Sequence, residues 1–195
     1  MALDYLKTLQ DSLAASLEFD DVLPLHGPVE NPWSIGVVEG VYNPNGRTHS
    51  EIEMVCFMWG LTLMLKPQLV IETGSNIGVM TKALGLAVKA NGFGRVLSAE
   101  TEEDFVKFAR TRCYGLPVTI HHGPALDLKI EEADLLFVDS SYESRKVEIT
   151  RARPGAVVVV HDTNREAEIG NEVRKYARRI EVVTPRGFTI IQKGE

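Results

Sequence analysis

Residues 69–78 read Leu69-Val70-Ile71-Glu72-Thr73-Gly74-Ser75-Asn76-Ile77-Gly78, and the fold class follows from this stretch. The apolar run at its start is the length and character of a buried strand. Gly74 permits a sharp turn, and Gly78 opens a helix that can approach the sheet closely. A buried strand, a glycine turn and a helix in that order begin a parallel α/β unit.

Working outward, short apolar runs recur at 69–71, 96–99, 118–120, 135–138 and 156–160, with candidate helices at 78–90, 102–113 and 144–152. Such alternation implies a parallel sheet covered on both faces, with right-handed crossovers that place any ligand along one carboxyl edge. The end of the chain differs. After a helix expected over 165–179, runs at 180–184 and 188–192 flank Pro185-Arg186-Gly187. Strands joined by so short a turn are antiparallel neighbours. The expected fold is therefore α/β: a Rossmann-like, doubly wound, seven-stranded sheet, mostly parallel, with a C-terminal antiparallel hairpin.

Upstream, Leu3, Leu6, Leu9, Leu13 and Leu17 lie at spacings of three and four and predict a helix over 3–18. From 18 to 49 the periodicity gives way to turn residues such as Gly27-Pro28, Asn31-Pro32 and Asn43-Pro44-Asn45-Gly46. A segment of that kind reads as a lid or substrate-binding segment, or as a plain connector. Ser50 then caps a helix that ends at Lys66-Pro67.

The chain has 195 residues, a net charge of −6 and two cysteines, Cys56 and Cys113, without a partner motif. Length and composition suit one compact domain. The acidic balance argues against nucleic acid as a partner. The cysteine usage suits a reducing compartment. No apolar stretch is long enough to cross a bilayer, and the N-terminus lacks the pattern of a signal peptide. The expectation is a cytoplasmic protein without membrane contact, whose amphipathic N-terminal helix could pair two copies into a homodimer.

The glycine turn also speaks about its ligand. Dinucleotide enzymes show GxGxxG, whose middle glycine makes room for a pyrophosphate. Here Asn76 follows Ser75 in place of the second glycine, while backbone N–H groups of the turn are expected to meet a polar or anionic ligand group. The strand ends in Glu72, which repels a pyrophosphate and attracts an ammonium. S-adenosylmethionine carries an ammonium and a positive sulfur, so an acidic, glycine-turned pocket fits it.

At this point "KPQLVIETGSNIG" and "RGFTIIQK" resemble the first motif and last strand of class I S-adenosylmethionine-dependent methyltransferases. The likeness is to small-molecule O-methyltransferases of the catechol, macrolide-sugar, rhamnosyl and cephalosporin-hydroxylase-like groups. It covers roughly residues 50–193 and implies an S-adenosylmethionine-binding domain over 50–195, preceded by an N-terminal helix and lid or substrate segment over 1–49. It implies cofactor contacts from Glu72, Thr73, Gly74, Ser75 and Gly78 at the methionine and ribose end. Glu100 and Thr101 would serve the ribose, and Gly123, Pro124 and Ala125 the adenine. Many relatives carry an acid where Pro124 stands.

Two further strand ends, "LLFVDSSY" and "VVVVHDTN", bring Asp139, His161 and Asp162 to the same edge. The resemblance gives Asp139 a place beside the cofactor and makes all three candidate catalytic residues. It also makes them candidate ligands for Mg²⁺ or another divalent cation, which would acidify a substrate hydroxyl. His161 stands where many relatives have a carboxylate, so softer ions, a general-base role and a plain strand cap stay open. The implied activity is O-methylation of a small hydroxylated acceptor. "DSSY" loosely resembles the (D/N)PP(Y/F) motif of amino-methyltransferases but lacks its prolines. An N-methyltransferase acting on protein or nucleic acid, and a cofactor-binding protein without turnover, are the alternatives.

Overall fold

The computed structural model describes residues 52–184 and 186–194. The helix and lid expected before residue 50, with His26 and His49, lie outside the described residues, as does the Ser50 cap. The described chain opens with helix α1, Ile52–Leu65, followed by β1, Leu69–Thr73. Next come α2, Val79–Asn91, β2, Arg95–Glu100, α3, Glu103–Arg112, and β3, Val118–His122. Two single 3₁₀ turns lead to β4, Leu135–Val138, then α4, Tyr142–Arg151, and β5, Val157–His161. The chain ends with α5, Ala167–Val173, β6, Arg179–Val182, and β7, Phe188–Gln192. Among these helices none is long and apolar enough to cross a membrane.

The strands form one seven-stranded sheet in the order β3-β2-β1-β4-β5-β7-β6. Strands β1 to β5 are parallel, and β7 runs antiparallel to both β5 and β6. The expected fold is thus the observed one, including the terminal hairpin. The central strands are uniformly apolar because both of their faces are covered. Val70, Leu135, Phe137 and Val159 pack on the side of α1 and α2, with Met54, Met58 and Leu84. Their chain neighbours Ile71, Leu136, Val138, Val158 and Val160 pack on the other side, with Ile149 of α4 and Ile169 and Val173 of α5. The period of two assigns each strand's residues alternately to the two layers.

After β3 the chain returns to pair β4 with β1 on the opposite side from β2, so strand order reverses between β1 and β4. In open α/β sheets a crevice opens at the carboxyl ends of such a pair. All the sequence-derived site residues sit at or near this edge.

Two expectations need correction. The last helix ends at Val173 rather than 179, because the chain tightens into turns there: Lys175 N–H donates to Glu172 O and Tyr176 N–H to Val173 O. Gln192 N–H then donates to Arg178 O, so sheet pairing claims the segment that helical periodicity suggested. The second concerns Gly78, whose missing side chain serves helix–helix packing rather than the approach of α2 to the sheet. It has φ +85°, and a Cβ there would lie 2.7 Å from Ala109 Cα in α3. Substitution meets both a left-handed backbone and an immovable neighbour.

Gly78→Ala is therefore expected to lower stability by about 2 kcal/mol or more. Urea unfolding of the variant tests this, and a midpoint equal to the wild type's would show that α3 yields freely.

Candidate functional site

A cavity of about 700 Å³ opens at the reversal of strand order, within the common size of small-molecule sites. One half is built from the ends of β1, β2 and β3. Gly74, Glu100, Thr101, Gly123, Pro124 and Ala125, all candidates from sequence, line it together with Asn76, Phe105 and Leu126. Gly74 has φ +94°, and a Cβ there would lie 2.6 Å from the carbonyl oxygen of Asp139. Its bareness lets the β1 and β4 ends close together at the cavity floor.

Glu100 is held before any ligand arrives. Asn76 N–H donates to its Oε2 at 2.7 Å, and the N–H groups of Thr101 and Glu102 donate to Oε1 at 2.8 and 3.0 Å. The Thr101 hydroxyl also reaches Oε1 at 3.4 Å, so Oε1 is fully engaged and Oε2, with one donor, is the oxygen with capacity for a ligand hydroxyl.

The turn does not present free N–H groups to the cavity, contrary to expectation. Gly74 and Ser75 both donate to Ala99 O, Ile77 donates to Asn76 Oδ1, and Gly78 donates to Ser75 O. With Asn76 N–H on Glu100, the donors are spent inside the protein. This turn is no anion nest, because β2 and the Asn76 and Glu100 side chains take its donors first.

Thr73, Ser75, Gly78 and Glu72 do not line the cavity. Thr73 works from behind: its Oγ1 donates to Phe137 O and accepts Asp139 N–H at 3.1 Å, tying β1 to β4. Ser75 is buried in the turn. Glu72 is fully buried, and its Oε2 accepts hydrogen bonds from Thr81 at 2.5 Å and Ser98 at 2.6 Å, while Oε1 has no partner. Burial pushes its carboxyl up from 4.5 to about 7; the two hydroxyls oppose that rise, and Asp139 and Glu100 add to it. The expected ammonium-attracting acid is thus turned into the layer beneath α2.

The other half of the cavity is made by the ends of β4 and β5. Atoms of Asp139, His161 and Asp162 all come within 4.8 Å of one another, so the three residues singled out from sequence do meet. His161 is fully buried, and its Nδ1 lies 3.1 Å from Asp139 Oδ1. It stands behind Asp139 and does not line the cavity, whereas Asp139 and Asp162 do.

Sequence reasoning missed the arginines that join these acids. Arg145, from the first turns of α4, is 3% exposed. Its Nε donates to Ser140 O at 2.9 Å and one terminal nitrogen to His161 O at 2.7 Å. The other terminal nitrogen reaches Asp139 Oδ1 at 3.0 Å and Asp162 Oδ2 at 3.5 Å. Arg186, from the turn before β7, donates to Asp162 Oδ1 at 2.6 Å and Oδ2 at 2.9 Å, a two-pronged pairing that guanidinium geometry favours. Burial works against the Asp162 charge, but the Arg186 hydrogen bond and the charges of His161, Arg186 and Arg145 outweigh it and hold the carboxyl below its usual range. Asp162 keeps this place with φ +64°, a backbone state that Asp tolerates better than most residues.

The donor set does not suit Mg²⁺. A hard dication needs open carboxylate oxygens, and here both oxygens of Asp162 and one of Asp139 already face guanidinium groups. Two arginines supply the positive charge that a metal would bring.

Residues 71–163 match the family model described as a methyltransferase domain. No curated protein matches the chain in sequence. Among solved structures, the chain is similar to the O-methyltransferase TomG from Streptomyces achromogenes, involved in tomaymycin synthesis and solved with S-adenosylmethionine. Identity is 22%, coverage 75% of this chain and 82% of that one, and the TM-score 0.62. A methyltransferase from Geobacter sulfurreducens aligns at 18% identity over 92% and 96% of the two chains, with a TM-score of 0.65. An O-methyltransferase from Bacillus cereus, solved with S-adenosylhomocysteine, aligns at 16% over 95% and 91%, with a TM-score of 0.57. At these identities the structural likenesses speak for the fold.

The buried Glu72 makes a prediction about stability. The folded chain holds this proton up to about pH 7, whereas the unfolded carboxyl releases it near 4.5. Its contribution is complete below pH 4.5 and is lost as pH rises through 7. Glu72→Gln removes the titration, so the variant should gain on the wild type by roughly 3 kcal/mol between pH 4.5 and 8. Urea midpoints of both proteins across that range measure the difference, and parallel pH profiles would contradict it.

Proposed function

We propose that this chain, whose residues 71–163 match the methyltransferase-domain family model, is an S-adenosylmethionine-dependent methyltransferase that methylates a hydroxyl oxygen of a small acceptor without help from a divalent metal. The observation that carries this reading is the state of Asp139. Its Oδ1 is taken by Arg145 and His161, while the carboxylate belongs to the cavity wall and leaves Oδ2 for an incoming hydroxyl. Two of the similar proteins, from Streptomyces achromogenes and Bacillus cereus, are O-methyltransferases, which agrees with this choice of acceptor atom.

Glu100, anchored by three backbone N–H groups, is the residue to accept the ribose hydroxyls of the cofactor. Thr101, Gly123, Pro124 and Ala125 continue that wall toward the base. Gly74 keeps the floor between the cofactor half and Asp139 clear. When bound, S-adenosylmethionine supplies a methyl group on a positive sulfur, which keeps the carbon–sulfur electron pair as the acceptor oxygen bonds to the carbon. Asp139 orients the acceptor hydroxyl and takes its proton. His161 and Arg145 hold the Asp139 carboxylate in one orientation, which makes them positioning residues. On this reading the general base is Asp139 rather than the buried His161. Arg145 and Arg186 neutralise Asp162, so the wall needs no dication.

Calorimetry with S-adenosylhomocysteine should show saturable binding, weakened about 10–100-fold by Glu100→Ala through loss of charge-assisted hydrogen bonds. Absence of binding at millimolar ligand would overturn the cofactor assignment. Asp139→Asn should retain S-adenosylhomocysteine binding while methyl transfer to a hydroxyl acceptor falls by at least about 100-fold. EDTA should leave the wild-type rate unchanged. A rate abolished by EDTA and restored by Mg²⁺ would instead make the acids a metal site.

A further inference from the structure

The acceptor half of the cavity holds more positive charge than its acids consume. Arg145, Arg165 and Arg186 line it against Asp139 and Asp162. Arg145 is spent on both acids and Arg186 on Asp162. Arg165 has no ion pair or side-chain hydrogen bond among the described residues and is exposed at the wall. The other cavity acid, Glu100, sits in the opposite half and is held by backbone N–H groups. Glu166, next in sequence to Arg165, lies against Tyr142 and does not line the cavity. A chain with net charge −6 therefore presents one uncompensated guanidinium where the acceptor is to bind.

The placement of Arg165 is built rather than incidental. Its backbone N–H donates to Asp162 O at 3.1 Å and Arg186 O at 3.3 Å, so the turn after β5 fixes its Cα beside the paired acids. Asp162 does not draw the side chain back, because Arg145 and Arg186 already occupy both of its oxygens. Ser140 and Tyr142 share that half of the wall, but their hydroxyls already donate to Glu148 and Asp162, so an incoming ligand meets the Arg165 guanidinium. A planar guanidinium suits the two oxygens of a carboxylate or phosphate.

We infer that the acceptor is itself an acid: a hydroxylated small molecule bearing a carboxylate or phosphate, which Arg165 binds while the hydroxyl meets Asp139. This rests on the O-methylation reading above and adds the substrate class. Arg165 makes its contact through the acceptor's anionic group, away from the reacting atoms, so its effect falls on KM.

The test uses matched acceptors that differ only in charge. Dihydroxybenzoate is compared with dihydroxybenzamide, and glucose 6-phosphate with glucose, each with S-adenosylmethionine, for the wild type and Arg165→Gln. The charged member of one pair should be preferred at least about tenfold in kcat/KM, the size of one charge-assisted contact, and which pair responds distinguishes carboxylate from phosphate. Arg165→Gln should erase that preference by raising KM for the acid, with kcat, the neutral acceptor and S-adenosylhomocysteine affinity little changed. Equal use of both members, or loss of both alike in the variant, overturns the inference. So does weakened S-adenosylhomocysteine binding in Arg165→Gln, which would place the guanidinium on the cofactor's own carboxylate. If no acceptor in the set is methylated, calorimetry on the S-adenosylhomocysteine-loaded protein decides. Binding of an acid but not its neutral partner, lost in Arg165→Gln, supports the inference, and binding of neither overturns it. A protein that fails to bind S-adenosylhomocysteine at all instead removes the reading on which the inference stands.

Discussion

The two carboxylates at the ends of β4 and β5 can share one wall only because Arg145 lies between them. Two like charges this close, with Asp162 buried, would drive one of them to neutrality or push the strand ends apart. Arg145 prevents both by donating to each acid and to the carbonyls of Ser140 and His161. It joins α4, β4 and β5 at the point where the sheet stops. Its guanidinium also lies 4.6 Å from the Tyr142 ring centroid, so the same group sets the entry into α4. Lysine could not reproduce this, since it lacks the fixed planar fork of donors.

The neighbouring half follows a different rule. Its turn has no spare N–H groups, because Ala99, Asn76, Ser75 and Glu100 accept them. What that half offers a ligand is an acceptor group, Glu100, and a shape. That excludes the logic of a pyrophosphate site, which needs donors at a helix N-terminus. The absence of a second glycine at Ser75–Asn76 and the consumption of the donors are thus two expressions of one design. Glu72, buried beneath the same turn with an unpartnered oxygen, belongs to the layer that supports it and not to the cavity surface.

The sheet was legible from sequence because its signal is local. Uniform apolar runs, glycine turns and a short link before the last strand each report their own geometry, and all pointed to the same sheet. The acids and His161 were legible for the same reason, since Asp139, His161, Asp162 and Glu100 each stand at the end of a readable strand. The arginines were not, because nothing near Arg145, Arg165 or Arg186 in the chain reveals a partner. Arg186 meets Asp162 only after β7 has paired with β5, and Arg145 meets it only after α4 has crossed the sheet. Periodicity misled over 174–178, where sheet pairing of Arg178 outweighed helical preference. The same dependence on tertiary contact hid the real neighbour of Gly78, which is Ala109 in another helix.

Seen as a distribution of charge, the cavity has one acid held by the backbone and a second pair held by arginines. Methyl transfer from a sulfonium to a hydroxyl consumes a positive charge on one side and releases a proton on the other. A wall that must take that proton cannot have its carboxylate tied at both oxygens, nor left to swing. Asp139 meets both demands: His161 and Arg145 fix one oxygen, and the other is left to the cavity. A metal would meet the first demand but occupy the oxygen needed for the second. In the proposed reaction the arginine-for-metal arrangement follows from the same requirement that leaves Asp139 half engaged, and Arg165, which nothing in that balance uses, is the charge the proposal gives to the acceptor.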